Sequence, residues 1–248
     1  METIIEQTEI LTDKLGLTYL PVGLMLTENK PDNALSLKTK GNGCIAPLIF
    51  SASKGKIVAI DKNTTGYPCS AFYLGYQQWI FNGIEYFLSD GPMPGRECER
   101  FTKTPQLAKD YITSLIPKEE TKGAVVFKPI KMFEKSEKPE IVILFANPDQ
   151  MSAIVFLLHY NKPELLDRVV TGFASSCAAV TTFPLKFARE GQNKAFWGFH
   201  DISTRPTFPA DITSIAMPLP LYQEMCNNIQ GSFLFTSHWD KVLTRIIK

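Results

Sequence analysis

The segment EIVILFANP, residues 140–148, decides most of what this 248-residue chain can fold into. Its apolar run from Ile141 to Ala146 is unbroken, which is typical of a β-strand covered on both faces. The segment GAVVFKPI, residues 123–130, has a similar pattern and predicts a second strand. After the first strand, Asp149 is expected to cap a helix, because an apolar stripe with helical spacing follows it, at Met151, Ile154, Val155 and Leu158.

Working outward from these two strands, shorter patterns predict strands at VGLMLT (22–27), KIVAID (56–61), AFWGF (195–199) and SIAMPL (214–219). Helices are expected over 2–15, 43–55, 105–116, 220–230 and 238–247, and near Cys69. The segment 164–190 is interpreted as further helix, interrupted around a run of small residues. Strands and helices alternate irregularly, and several strands lack a crossover helix between them. This favours an α+β fold with a mixed or largely antiparallel sheet over a doubly wound fold.

The length is compatible with a single domain over 1–248, since single cores stop growing near ~250–300 residues. A strand, a cysteine-bearing helix start and another strand follow one another in 22–61 and again in 141–199. The sequence therefore suggests a pseudo-repeat of two similar halves, 1–120 and 121–248, although the residues themselves do not repeat.

Composition narrows the class of protein and of partner. Hydrophobic residues make up 44% and charged residues 21% of the chain, and the net charge is only +1. A charge so near zero gives no electrostatic reason to expect nucleic acid or an anionic membrane as a partner. The N-terminus is acidic and does not resemble a secretory signal, and no apolar stretch approaches the ~20 residues that span a bilayer. We expect a cytoplasmic protein, and the sequence leaves its oligomeric state undecided.

Several familiar catalytic motifs are missing from the sequence. It contains neither GxGxxG nor GxxxxGK[ST], and neither GxSxG nor HExxH. The three histidines are not spaced as a ligand pair, and His159 is expected to be a packed or capping residue. A phosphate-binding loop of these types and a histidine-based metal site are therefore not indicated.

The five cysteines carry the clearest chemical signal. Their odd number and wide scatter do not suit a disulfide framework. Cys44 and Cys69 each follow a turn-forming Gly or Pro and precede an apolar helical segment, where a helix N-terminus lowers the pKa of a thiol. Cys177 lies among small residues in SSCAAV, which leaves room around its sulfur. Three thiolates could hold a single metal ion or an iron–sulfur cluster with one position open.

A structural role for these thiols stays open at this point. Metal-binding cysteines usually occur in pairs two to four residues apart, and buried free cysteine is common and inert. Cys226 is expected to be a packing residue. Cys98 lies in the polar segment 89–105, with Arg96 and Arg100, which is either a solvated connection or a loop that closes over a site. A role for Cys98 as a fourth ligand is the minor alternative.

A second constellation follows the strand AFWGF, in the segment HDISTRP. Asp201 and Arg205 lie four residues apart there, so they could bind a carboxylate or cofactor group, or simply form a local ion pair that shapes the turn. The aromatic group of Tyr67, Tyr73, Tyr76 and Trp79 is expected to be packing, with stacking on a cofactor as the minor alternative.

The ordered set of these motifs, together with PVGLML near the start and WDKVLTRI at the end, resembles the uncharacterised domain-of-unknown-function family 169. The resemblance implies that Cys44, Cys69 and Cys177 match cysteines of the family pattern. It implies the same for Asp201 and Arg205. The family has a Gly after the second cysteine, where this chain has Ser70. The resemblance implies no particular reaction.

Four hypotheses follow. The first is a metal or iron–sulfur site made by Cys44, Cys69 and Cys177 beside a small-molecule pocket, with redox or transfer chemistry. In this hypothesis Arg205 holds an anionic group, and Asp201 orients Arg205 or a water. The others are a non-catalytic binding module that segment 89–105 closes, an enzyme with one cysteine as nucleophile, and three buried thiols with no site.

Overall fold

A seven-stranded sheet runs through the molecule in the computed structural model, which describes residues 3–37, 43–93, 95, 97–115 and 120–247. The strand order is β2-β3-β1-β4-β7-β6-β5. Every pairing is antiparallel except the one between β5 and β6. In chain order the strands are β1 (Val22–Thr27), β2 (Val58–Asp61), β3 (Ala124–Pro129), β4 (Ile141–Ala146), β5 (Val169–Thr171), β6 (Ala195–Gly198) and β7 (Thr213–Pro218).

The α-helices surround this sheet, and short 3-10 turns occur at Ile130–Met132, Arg205–Thr207 and Phe233–Phe235. The helices are α1 (Ile4–Leu15), α2 (Ile45–Ala52), α3 (Pro68–Tyr73), α4 (Ile84–Phe87), α5 (Pro105–Ser114), α6 (Pro148–His159), α7 (Ser176–Val180), α8 (Thr182–Arg189), α9 (Leu219–Asn227) and α10 (Ser237–Ile246). The α+β fold class expected from the sequence, with a largely antiparallel sheet, is confirmed.

Both faces of the sheet are buried, as the apolar run of β4 predicts. Ile143 and Phe145 pack into one hydrophobic core, and Val142 and Leu144 pack into another. We call the first side the cavity face; helices α2, α3, α4, α5 and α7 contribute to its core. The second side is the closed face, and helices α1, α6, α9 and α10 cover it. Alternate side chains of a strand point to opposite faces, so one continuous apolar strand supports both cores.

Two local predictions are wrong. Residues 169–171 form β5, not helix, because Val169 pairs with Ala195 and Thr171 with Trp197 of β6 in parallel, a long-range contact that local helical spacing does not reveal. The cap of α6 is Asn147 rather than Asp149. The Asn147 side chain accepts a hydrogen bond of 2.9 Å from the backbone N–H of Gln150.

Residues 164–168 are not helical either, and α7 lies within the run of small residues where an interruption was expected. The remaining strand and helix predictions are confirmed to within a few residues at their ends. The division into halves 1–120 and 121–248 stays a prediction, as does the single domain. Arg96 in the segment 89–105 lies outside the described residues. Within the ranges described, no helix is both long enough and apolar enough to cross a membrane.

Candidate functional site

Each of the three predicted cysteines lies at the start of a helix on the cavity face. Cys44 is the N-cap residue of α2, Cys69 is the second residue of α3, and Cys177 is the second residue of α7. The predicted position of Cys44 and Cys69 at helix starts is therefore confirmed. At α3 the local cause is Pro68, whose missing N–H and fixed φ suit the first helical position.

A backbone contact holds the loops of Cys44 and Cys69 together. The N–H of Tyr67 donates to the carbonyl of Gly43 at 3.2 Å, so the residues preceding the two helix starts are linked directly. Gly66 has a φ of 69°, and a Cβ at this position would overlap the Gly43 carbonyl oxygen. Glycine is required here both for the left-handed backbone and for the close approach of the two loops.

Helix α7 is fixed between the sheet and the end of α3. The hydroxyl of Thr182 donates to the carbonyl of Tyr73 at 3.0 Å, and the hydroxyl of Thr181, which donates to the carbonyl of Cys177 at 2.6 Å, lies 3.4 Å from the same Tyr73 carbonyl. On the other side, a Cβ at Gly198 of β6 would overlap the side chain of Ala179. The small residues around Cys177 thus let the helix lie directly on the sheet, and the thiol is 4% exposed.

All three cysteines line one cavity of about 1150 Å³ on this face. Its wall is largely apolar, which is usual for sites that bind small organic molecules. The apolar part comes from side chains of α4 and the segments around it: Ile80, Phe81, Ile84, Phe87, Leu88, Met93, Phe101 and Phe173. The polar part contains the thiols together with Glu99, Ser175, His200, Asp201, Ser203 and Thr204. The cavity therefore has a chemically reactive end and an apolar body.

The thiols differ in acidity because they face one another. A hydrogen bond from the Cys177 side chain, together with the N–H of Ala46 in the first turn of α2, lowers the pKa of Cys44 below its ordinary value. The same hydrogen bond and burial raise the pKa of Cys177. Burial, and then the charge of Cys44, raises the pKa of Cys69 to about 12. Cys44 is therefore the most acidic of the three thiols and the first to ionise as the pH rises.

The arrangement does not by itself form a metal centre. Among the described residues, no three His, Cys, Asp or Glu side chains are grouped as potential ligands of one metal ion. The three thiols nevertheless share the cavity and influence one another's pKa values. The hypothesis that they hold a metal or an iron–sulfur cluster remains a prediction.

Asp201 and Arg205 have different surroundings. Asp201 lines the cavity, and its carboxylate accepts hydrogen bonds from the backbone N–H of Ser176 at 3.2 Å and from the hydroxyl of Ser203 at 2.8 Å. The guanidinium of Arg205 donates to the carbonyls of Pro209, Ala210 and Ile212. Arg205 is not among the residues that line the cavity, and its contacts support the turn before β7. The prediction that it binds an anionic group gains no support from these contacts.

The two other cysteines lie apart from the site. The thiol of Cys98 donates to the carbonyl of Gly91 at 3.0 Å, within its own loop. Cys226 lies in the core of the closed face, where burial raises its pKa to about 12. In the aromatic group, Tyr67 and Tyr73 line the cavity, whereas the hydroxyl of Tyr76 donates to the carbonyl of Ile60 at 2.8 Å.

Glu99 is a site residue that the sequence did not single out. It lines the cavity from the segment 89–105, the segment that also holds Cys98 and Arg100. Burial and the nearby charge of Asp201 raise the pKa of Glu99 to about 7. The sequence gives only a weak indication of its role, because Glu99 is one acidic side chain in a loop, 89–105, that could itself be a lid. Its neighbour Asp201 comes from a distant part of the chain.

Comparison with known proteins gives one match. The family model DUF169, described as "Uncharacterised ArCR", matches residues 10–228. No curated protein and no solved structure matches the chain.

Proposed function

This chain belongs to the DUF169 family, whose description assigns no reaction, so we propose a function from the site. The protein binds an organic small molecule in the cavity. The Cys44 thiolate then attacks an electrophilic carbon of that molecule. The observation that carries the proposal is the position of Cys44. It lies at the N-terminus of α2, faces the cavity and receives a hydrogen bond from Cys177. Thiolates are the nucleophilic form of cysteine, and such surroundings stabilise them.

Cys177 would supply the proton for this step. A bond forms between the sulfur of Cys44 and the electrophilic carbon, and the proton of the Cys177 thiol moves to the atom that receives the displaced electron pair. The pKa of Cys177 is raised partly by the charge of Cys44. That charge disappears when the new bond forms, so release of the proton becomes easier at the moment it is needed.

Alkylation tests the proposal directly. We expect iodoacetamide at neutral pH to modify Cys44 before the other cysteines, as read by peptide mass spectrometry. Replacing Cys177 with Ala removes the hydrogen bond that lowers the pKa of Cys44, so the pH at which alkylation is half-maximal should rise. Cys98→Ala is the matched control, because Cys98 is also a free thiol but lies outside the cavity lining, and it should change neither result.

Two outcomes would overturn the nucleophile. One is preferential labelling of Cys69 or Cys98. The other is a pH of half-maximal alkylation for Cys44 that equals the value of an ordinary thiol and does not change when Cys177 is replaced. If small apolar molecules raised the melting temperature of the parent protein while Cys44 showed no enhanced alkylation, the protein would be a binding module without thiol chemistry.

A metal or iron–sulfur site at Cys44, Cys69 and Cys177 is the second candidate, and it is favoured by the fact that all three thiols line one cavity. Cys69 separates the two candidates. A three-thiolate site requires it, whereas the nucleophile does not, because its high pKa leaves it as a neutral thiol. Anaerobically purified protein should contain iron or zinc by elemental analysis if this candidate is correct, and Cys69→Ala should lose it. Protein without metal and without charge-transfer absorption would exclude it.

A further inference from the structure

The charges in the cavity wall are all of one sign. Glu99 and Asp201 both line it, and no Lys or Arg is among the lining residues that the structure describes. His200 also lines it, but burial and then the proximity of Arg205 lower the pKa of His200 below its ordinary value of 6.5. Near neutral pH this imidazole is therefore mostly uncharged. The described wall thus presents carboxylates without a compensating cation.

The described cations nearest to these carboxylates along the chain are engaged elsewhere. The guanidinium of Arg205 donates three hydrogen bonds to backbone carbonyls of the turn that follows it. Arg100, next to Glu99, pairs with Asp90 at 3.2 Å on the exposed side of the loop. A carboxylate that is partly buried without a cation is unfavourable, and a ligand of opposite charge would relieve this.

The N–H groups at the reactive end are also used within the protein. The N–H of Ser176 donates to Asp201, and the N–H of Ala178 donates to the hydroxyl of Ser175 at 3.1 Å. The N–H of Ala46 points to Cys44. The starts of α2 and α7 therefore do not offer these donors to an anionic ligand.

The same cavity that Glu99 lines also has an aromatic wall. The ring of Phe173 lies 4.7 Å from the ring of Tyr111 and 6.5 Å from that of Phe101, centroid to centroid, and all three residues line the cavity. The faces of such rings attract cations, and their bodies accept apolar groups. Carboxylates and aromatic rings together form the surroundings that proteins use for organic ammonium groups.

We infer that the ligand of this cavity is an organic cation with an apolar body, with its nitrogen held by Glu99 and Asp201 and its body against the wall of Phe101, Tyr111 and Phe173. The inference rests on the proposed function for the use of this cavity, but not on the chemistry of Cys44. It narrows the substrate class to amines and quaternary ammonium compounds, and it sets aside carboxylates and phosphates.

Three probes of matched shape test the charge preference: 5-phenylpentylamine, 5-phenylpentanol and 5-phenylpentanoate, titrated into the full-length protein by calorimetry above neutral pH. We expect the amine to bind most tightly and the carboxylate most weakly. Glu99→Gln keeps the size of the side chain and removes one charge, so the affinity for the amine should fall about tenfold, while the affinity for the alcohol should hardly change. Glu164→Gln, an exposed site outside the cavity lining, is the matched control and should leave all three affinities unchanged.

Proton release provides a second readout. The pKa of Glu99 is about 7, under the influence of burial, of Asp201 and of the Ser203 hydroxyl. Binding of a cation should ionise it, so titrations at neutral pH in buffers of different ionisation enthalpy should show proton release that Glu99→Gln abolishes. A carboxylate probe that binds as tightly as the amine would overturn the inference. Equal loss of amine and alcohol affinity in Glu99→Gln would do the same, as would failure of all three probes to bind.

The same titrations with Cys44→Ala separate this inference from the nucleophile. If amine selectivity persists while Cys44 shows no enhanced alkylation, the ligand class stands and the proposed reaction fails. If Cys44 is alkylated rapidly but the amine has no advantage over the carboxylate, the reaction stands and the ligand class fails.

Discussion

The two faces of the sheet bury similar apolar strands but use them differently. On the closed face, α1 and α6 both begin with a capping box, in which Thr3 pairs with Glu6 and Asn147 with Gln150. On the cavity face, α2 begins with Cys44, whose sulfur is a weaker hydrogen-bond acceptor for the first turn than the oxygens of these caps. The capping boxes of α1 and α6 stabilise each helix by about 1 kcal/mol. The cavity face thus gives up local stability at the position where it places its most reactive group.

The contrast is sharpest between two cysteines of the same chain. Cys226 on the closed face has its pKa raised to about 12 by burial, whereas the pKa of Cys44 is lowered by Cys177. The difference comes from the neighbours of each sulfur and not from the residue type. A cysteine buried in a core is therefore unreactive, whereas a cysteine at an open helix start beside a second thiol is reactive.

The largest expected effect is the ratio of alkylation rates of Cys44 and Cys226. At neutral pH, a thiol with a pKa of about 12 is ionised far less than one whose pKa lies below 9.0. The thiolate fractions alone predict a ratio of at least about a thousandfold in the folded protein. Isotope-coded iodoacetamide and peptide mass spectrometry measure both rates in one sample.

Denatured protein is the control for this ratio, because unfolding removes both environments and the two rates should become nearly equal. Comparable rates in the folded state would show that the faces do not differ in thiol chemistry. A faster Cys226 would show that the closed face opens more readily than the cavity face.

How far the sequence could predict this comparison depends on the range of the interactions. The six-residue run of β4 shows in its own residues that both faces are covered, so the sheet was predictable. β5 has only three residues, and its pairing with β6 is decided elsewhere in the chain, so a helical interpretation prevailed. Local patterns identify elements that are long or strongly apolar, and short edge strands depend on their partners.

The site was predictable in the same partial way. Gly and Pro before Cys44 and Cys69 indicate helix starts, because their backbone preferences act locally. The environment of Glu99 depends on Asp201, which only the folded topology brings near. Arg205 was expected at an anion because arginine forms such pairs, but the carbonyls of the following turn bind it. The turn geometry that places those carbonyls is not visible in the residue types.

The second largest effect is a difference in the stability cost of two truncations. Ile154 is fully buried in α6 on the closed face, so Ile154→Ala should leave a void and lower the free energy of unfolding by about 3 kcal/mol. Phe81 is only partly buried and lines the cavity, so Phe81→Ala enlarges an existing space and should cost about 1–2 kcal/mol. Urea unfolding of both variants measures the difference.

The affinity for the amine probe should change more in Phe81→Ala than in Ile154→Ala, which is the opposite of the order expected for stability. Phe81→Ala changes the apolar body of the cavity and should weaken binding of the amine probe, whereas Ile154→Ala should not. If Phe81→Ala cost as much stability as Ile154→Ala, the cavity would be closed and collapsed in solution, and the distinction between the faces would be lost.

A smaller effect is the pH dependence of stability that Glu99 introduces on the cavity face. Its pKa is about 7 in the folded protein and near 4.5 when unfolded, so the folded state binds more protons between these values. Stability should therefore fall as the pH rises from 4.5 to 7. Glu99→Gln removes this loss and should be more stable than the parent above neutral pH by about 1–2 kcal/mol, reduced by the partial exposure of the carboxylate. Chemical denaturation at several pH values checks the sign, and a variant that is less stable at high pH contradicts it.

The smallest effect compares the caps of α2 and α6. The oxygen of Ser at position 44 is a stronger acceptor for the N–H groups of the first turn than the Cys44 sulfur, so Cys44→Ser should raise the free energy of unfolding by about 0.5–1 kcal/mol while removing the nucleophile. Asn147→Ala should lower it by about 1 kcal/mol on the closed face.

Cys44→Ala is the control for the cap, because Ala removes the thiol without supplying an acceptor and should not raise the free energy of unfolding. If Ser and Ala at this position gave the same stability, the start of α2 would be satisfied by other groups. Cysteine there would then carry no stability penalty, and the difference between the two faces would rest on thiol chemistry alone.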